Sequence, residues 1–172
     1  MAYEQGNTFA LLQMMYIVSG NHVDITDEEK FKIVKASSDR WSGYSTLVLA
    51  YYYRDGVGTE VDIDKFFELL RICADDGSLS AATTLANCYE QGLYTEQSYE
   101  KAYDIYDNWY DDHGRPDLFF LYKCAYYMYH ELGGAKKDLD AIRYCLKRSG
   151  RWHQEARDLY KEIFNEEWED IR

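Results

Sequence analysis

The chain has 172 residues with 31 acidic and 19 basic side chains, a formal charge of −12, and a single proline, Pro116. That acidity argues against direct docking on nucleic acid or an anionic membrane, whose phosphates it would repel. The length fits one domain or a short repeat array, and one proline with 11 glycines suits helices joined by short turns.

Taken in chain order, the apolar spacing predicts a series of helical hairpins. Residues 7–19 read as a first helix ending at Gly20, and Thr26 with Glu29 forms a capping box that starts its partner helix. Residues 44–54 form the next helix, ended by Gly56, since glycine adopts the left-handed cap without a Cβ penalty. Asp62 then caps a helix to about Asp76, with Phe66, Leu69, Leu70, Cys73 and Ala74 at i, i+3, i+4, i+7 spacing. Ser78 caps the following helix, which carries Ala81, Leu85, Ala86 and Tyr89 and turns at Gly92 into a helix over 98–112. A third hairpin spans 116–132, with Pro116 in the first turn, then Gly133-Gly134, then 139–148. A last amphipathic helix over 153–169 presents Ala156, Leu159, Tyr160, Ile163 and Phe164 on one stripe and closes the end.

Two of these hairpins repeat one phrase with a step of 36 residues. Leu49, Tyr53, Gly56 and Lys65 recur as Leu85, Tyr89, Gly92 and Lys101. A period of this length marks stacked repeats. The phrase Leu49-Ala50-x-x-Tyr53-x-x-Gly56-x-Gly58, followed by Asp62-x-x-Lys65 and Ala74-x-x-Gly77, resembles the Sel-one-like repeat (SLR) family, a branch of the tetratricopeptide-type α-solenoids. Residues 45–77 match closely, with Val57-Gly58 transposed and Phe66 in place of alanine; 81–114 match with Tyr94 for the second glycine and Ser98 for the aspartate. Residues 5–42 and 118–150 match weakly. The resemblance implies an all-α, right-handed α-solenoid of about four antiparallel hairpins. We expect a single domain over 1–172, with units at 5–42, 45–77, 81–114 and 116–150 and a capping helix over 152–170. It further implies a role in protein–protein interaction, with no catalytic residues to carry over.

No pattern in the chain supplies a reaction centre. The four histidines, His22, His113, His130 and His153, form no i, i+4 pair, and the cysteines, Cys73, Cys88, Cys124 and Cys145, form no C-x-x-C. We therefore expect no metal, no cofactor and no catalytic activity, with the four thiols reduced, mostly buried and in the cytoplasm. Phe9 to Ser19 is apolar but too short to span a bilayer, and no basic segment precedes it.

The candidates for function are aromatic and acidic. There are 18 tyrosines, each able to fill a helix seam or to anchor a partner with ring and hydroxyl. The resemblance places Tyr51, Tyr52, Tyr122 and Tyr126 on the concave face of the solenoid; Trp109, Trp152 and Trp168 are further aromatic candidates. From Asp55 to Asp112, fourteen acids against three bases leave −11, whereas Lys123 to Arg157 carries eight bases and four acids. Asp104, Asp107 and Asp111 line one helix face, either a solvated stripe or a surface for a basic partner. Two readings follow within one class. The chain is a dedicated inhibitor, such as an immunity protein neutralising a basic, nuclease-type cytoplasmic toxin, or it is a general adaptor. An enzyme is the distant alternative.

Overall fold

The computed structural model describes residues 25–39, 43–109 and 114–169, and among these it contains helices and turns but no strand. Within the described residues eight α-helices follow in order: α1 Asp27–Ser38, α2 Tyr44–Asp55, α3 Ile63–Asp75, α4 Leu79–Gln91, α5 Tyr99–Asn108, α6 Leu118–His130, α7 Leu139–Ser149 and α8 Gln154–Phe164. A short 3-10 turn, Leu132–Gly134, follows α6. The expected helix over 7–19 and its Gly20 turn lie outside the described residues.

The chain divides into two compact units, Met1–Ala82 and Thr83–Arg172. In the first, α2 packs against both α1 and α3. Its core joins Ile33, Val34, Leu49 and Tyr53, with Phe31 set edge-on to Tyr53 at 5.4 Å. Where α1 meets α2, the Ser37 and Ser45 hydroxyls pair at 2.8 Å, so two buried polar groups satisfy each other. In the second unit, α6 packs against α5, α7 and α8, and α7 against α8. Tyr106, Phe120, Tyr127, Ile142, Leu146 and Tyr160 fill that interior.

The repeated phrase has a physical reason residue by residue. Gly56 ends α2 in the left-handed conformation, φ 70, and the next amide, Val57 N–H, donates back to Tyr52 O. Asp62 N–H donates to Tyr53 O at 2.8 Å, while the Asp62 carboxylate accepts from Lys65 N–H. Lys65 Nζ lies 5.5 Å above the Tyr53 ring. The second unit repeats this: Ser98 N–H donates to Tyr89 O, Ser98 Oγ accepts from Lys101 N–H, and Lys101 Nζ sits 5.1 Å from the Tyr89 ring. The tyrosine thus joins both helices of its hairpin. The capping box at Thr26 and Glu29 is present as expected.

Four expected boundaries differ. Pro116 stands outside α6; Asp117 is the cap, its carboxylate accepting from Phe119 N–H and Phe120 N–H. Helix α5 stops at Asn108 because Trp109 turns extended. Helix α8 stops at Phe164 because Asn165 turns left-handed, φ 52. The third turn begins at Glu131, left-handed at φ 52, where the other turns have glycine. Gly133 takes the place of Gly58.

That second glycine position is a close approach. A Cβ on Gly58 would lie 2.0 Å from Asp27 O, and one on Gly133 would lie 2.4 Å from Tyr99 O. Gly58→Ala should therefore cost about 3 kcal/mol or more, combining left-handed strain with a backbone clash. Gly134→Ala, equally left-handed but facing open space, should cost about 1 kcal/mol. Thermal unfolding of the two variants checks this. Midpoints within about 2 °C of each other would contradict the close approach.

Candidate functional site

Helix α6 is apolar over most of its circumference, so tertiary packing rather than amphipathicity decides which side chains reach solvent. Phe120, Cys124, Ala125, Tyr127 and Met128 are buried. Phe119, Tyr122 and Tyr126 are half-buried and His130 is exposed. Steps of three, four and four residues align these last four on one stripe. Successive ring centroids lie 6.1, 6.4 and 4.4 Å apart. His153, which begins α8, extends the stripe with its ring 5.9 Å from Phe119.

Beneath the stripe lies a polar network. Glu90, near the end of α4, accepts from Lys123 Nζ at 2.6 and 2.8 Å. The same carboxylate accepts from Tyr106 Oη at 3.1 Å and Tyr127 Oη at 3.2 Å. Lys123 Nζ also lies within 6.0 Å of the Tyr106, Phe119, Tyr126 and Tyr127 ring centroids. Burial and then the Glu90 charge hold the Tyr106 and Tyr127 hydroxyls far above the usual tyrosine range. Burial, reinforced by Asp107, pushes Tyr103 up to about 12. Tyr122 is raised by burial first and then by Glu155.

The residues singled out from sequence are divided between the two units. Tyr51 and Tyr52 belong to the first unit. Tyr51 lies 6.1 Å from Phe66 with the Arg54 guanidinium 4.8 Å from its centroid; Tyr52 packs against the α1–α2 core. Tyr122 and Tyr126 belong to the second unit and share the α6 stripe. Asp104 and Asp107 are exposed on α5, and Asp111 lies outside the described residues. The Asp107 charge acts on Tyr103, Cys124 and Cys145. Cys124 is two residues from both Tyr122 and Tyr126, roughly 160° around the helix. The Asp107 charge therefore acts on a different side of α6 from Tyr122 and Tyr126. The carboxylates that act on Tyr122 are those of Glu155 and Glu90.

Trp109 packs edge-on to Phe120 at 5.6 Å, with its indole N–H buried and unpartnered among the described residues. Trp168 lies against Gly150 and Arg157, while Trp152 is 72% exposed. All four cysteines are buried free thiols; burial pushes Cys73 and Cys145 up to about 11 and raises Cys124 further. Among the described residues no three His, Cys, Asp or Glu side chains gather as a metal site, and no helix is long and apolar enough to cross a membrane.

Sequence reasoning missed the Glu90 network, although a signal existed. Eight residues after its cap, each second helix of a hairpin buries one side chain: Val34, Leu70, Tyr106 and Leu146. Three are aliphatic. The tyrosine brings a hydroxyl into a seam where its sister positions need none, and a buried hydroxyl requires a partner. Lys123, the lone basic residue inside an apolar helix, was the second signal.

Helical hairpins with recurring caps, recurring left-handed turns and a recurring buried position define an all-α repeat architecture of the solenoid class. The solved structures place it more narrowly. The chain is similar to c5321, a protective antigen present in uropathogenic Escherichia coli strains and displaying an SLR fold, at 22% identity over 95% of this chain, with a TM-score of 0.69. It is also similar to a Sel1 repeat protein from Oxalobacter formigenes, at 16% identity over 92% of this chain, with a TM-score of 0.72. This chain spans 35% of the first protein and 64% of the second. No family model and no curated protein matches it. The fold is the SLR fold.

The buried hydroxyls set an alkaline limit on stability. Tyr103, Tyr106 and Tyr127 ionise near pH 10 when unfolded and well above it when folded, so the native state holds more protons above pH 10. Their contribution is fully present below pH 10 and falls as pH rises. Tyr106→Phe should make the decline between pH 10 and 12 shallower by up to about 1.4 kcal/mol per pH unit. Urea unfolding at stepped pH checks this; parallel curves for variant and parent would contradict it.

Proposed function

We propose that this chain is a non-catalytic protein-interaction module and that the α6 stripe is its principal docking surface for a basic protein partner. The observation that carries the reading is the run of tilted rings in contact, Phe119–Tyr122–Tyr126–His130. It is left half-open to solvent and anchored by the Glu90–Lys123 pair. Aromatic side chains held rigidly at a surface are the groups that most often dominate interface energies, because little entropy is lost on binding. Glu155 near Tyr122 favours a positive group opposite it, the Glu90 charge being met by Lys123.

Within that class the chain is a dedicated inhibitor, such as an immunity protein that neutralises a basic, nuclease-type toxin in the cytoplasm. The net −11 of the stretch 55–112 would mask a basic nuclease surface and speed encounter with it. Tyr51 and Tyr52 on α2, with Asp104, Asp107 and Asp111, are further partner contacts in this reading. The adaptor reading is favoured by one observation, the opposite charge of the stretch 123–157, which suits a second partner.

The test is isolation of a stoichiometric partner with the tagged chain, followed by stopped-flow and equilibrium binding. Tyr122→Ala with Tyr126→Ala should weaken binding at least about tenfold, mainly through faster dissociation. Asp104→Lys with Asp107→Lys should mainly slow association. Raising salt from 0.1 to 1 M shortens the screening length from about 10 to about 3 Å and should weaken the complex. An acidic partner whose affinity ignores salt and both tyrosines would contradict the reading.

A further inference from the structure

Helix α7 carries a second surface that the proposed docking site does not use. Its inner side buries Ile142, Cys145, Leu146 and Ser149. Its outer side leaves Tyr144 55% exposed and Arg148 in solvent one turn later. The turn after the helix continues the line with Trp152, held there by Trp152 N–H and His153 N–H donating to Ser149 O. Basic residues in a final turn are favoured by the helix dipole, which accounts for Lys147 and Arg148. It does not account for two large aromatic rings left in water.

Arg148 is already oriented. Its Nη1 donates to Tyr144 Oη at 2.6 Å, and its guanidinium carbon lies 5.5 Å from that ring centroid. No carboxylate among the described residues pairs with it. The Nε–Nη2 edge of a guanidinium held by Nη1 is the edge that takes a carboxylate through two parallel hydrogen bonds. Much of the rotamer entropy such a contact would cost has been lost to the Tyr144 bond.

We propose that the Tyr144–Arg148–Trp152 stripe docks an acidic protein segment, with one carboxylate on Arg148 and an adjoining apolar side chain against Trp152. Charge complementarity selects this occupant. Residues 123–157 hold eight bases and four acids, whereas the stretch 55–112 is strongly acidic. A nucleic acid, with one charge per roughly 1.7 Å, extends far beyond this patch and meets the net repulsion of the chain. A short acidic segment feels chiefly the local field, because screening at 0.1 M acts over about 10 Å. The site is independent of the α6 stripe.

The experiment selects random displayed peptides on the immobilised full chain and sorts the enriched sequences by their response to variants. Peptides whose binding is lost with Arg148→Gln should carry two or more Asp or Glu beside an aliphatic or aromatic residue. In calorimetry, synthetic copies should bind at least about tenfold more weakly to Arg148→Gln and to Trp152→Ala, at unchanged melting temperature. Arg148→Lys should recover only part of the affinity, because an ammonium cannot make the two-point contact. The same peptides should bind the Tyr122→Ala, Tyr126→Ala double variant normally, which separates this site from the proposed docking stripe. The proposal is overturned by the absence of any peptide sensitive to Arg148→Gln, by sensitive peptides that are not acidic, or by a single-stranded oligonucleotide competing for the stripe better than they do. Self-association of the chain that Arg148→Gln abolishes in sedimentation overturns it equally, since a second copy would then be the occupant.

Discussion

The Glu90 carboxylate sits where α4, α5 and α6 meet, and one hydrogen-bond acceptor there serves three donors from two neighbouring helices. A half-buried ion pair is costly to desolvate and holds only when its remaining valences are met. Here Lys123 supplies the charge, and Tyr106 and Tyr127 supply hydroxyls to the same two oxygens. Rotation of α6 by one residue would carry Lys123 and Tyr127 about 100° away, leaving the Tyr127 hydroxyl unpaired and the carboxylate with Tyr106 but without its counter-charge in a closed seam. The network therefore fixes the azimuth of an otherwise apolar helix. That azimuth decides that Tyr122 and Tyr126, rather than Tyr127, face outwards.

The repeat architecture makes this departure visible. Tyr53 and Tyr89 perform one task in two copies, binding the next cap amide through a carbonyl and holding a lysine ammonium over a ring. Val34, Leu70 and Leu146 likewise occupy one buried position with aliphatic carbon. Individual copies depart from the shared solution at particular positions. Tyr106 replaces the aliphatic residue, Glu131 takes a left-handed turn without glycine, and Tyr94 adopts φ 60 at the position that Gly58 and Gly133 fill elsewhere.

Local chemistry was legible in the sequence. The Thr26 capping box, the Asp62 cap and the left-handed Gly56 each depend on residues within a few positions, so their pattern survives without tertiary context. Helix ends were harder. Asn165 stops α8 short of its expected end at 169, and the chain after it turns so that Glu166 meets Arg143 and Trp168 covers Gly150; no local signal distinguishes that from one more helical turn. The site was least legible. Glu90 and Lys123 are 33 residues apart, and only stacked helices bring them together. The sequence likewise did not show that the Asp107 charge acts on Cys124 and Cys145, which lie on other helices.

The most direct test of this account is the coupling energy between Glu90 and Lys123, from a double-mutant cycle with Glu90→Gln and Lys123→Met in urea unfolding. Glutamine keeps one acceptor oxygen for one tyrosine and offers an amide N–H to the other hydroxyl oxygen, and the cycle subtracts the effect of that exchange from the charged contact. A carboxylate that organises three helices predicts a coupling of about 1.5–3 kcal/mol, the range of hydrogen bonds to charged groups in protein interiors. A coupling below about 0.5 kcal/mol, the value of an ordinary surface pair, would mean that α6 is oriented by apolar packing alone and would contradict the account.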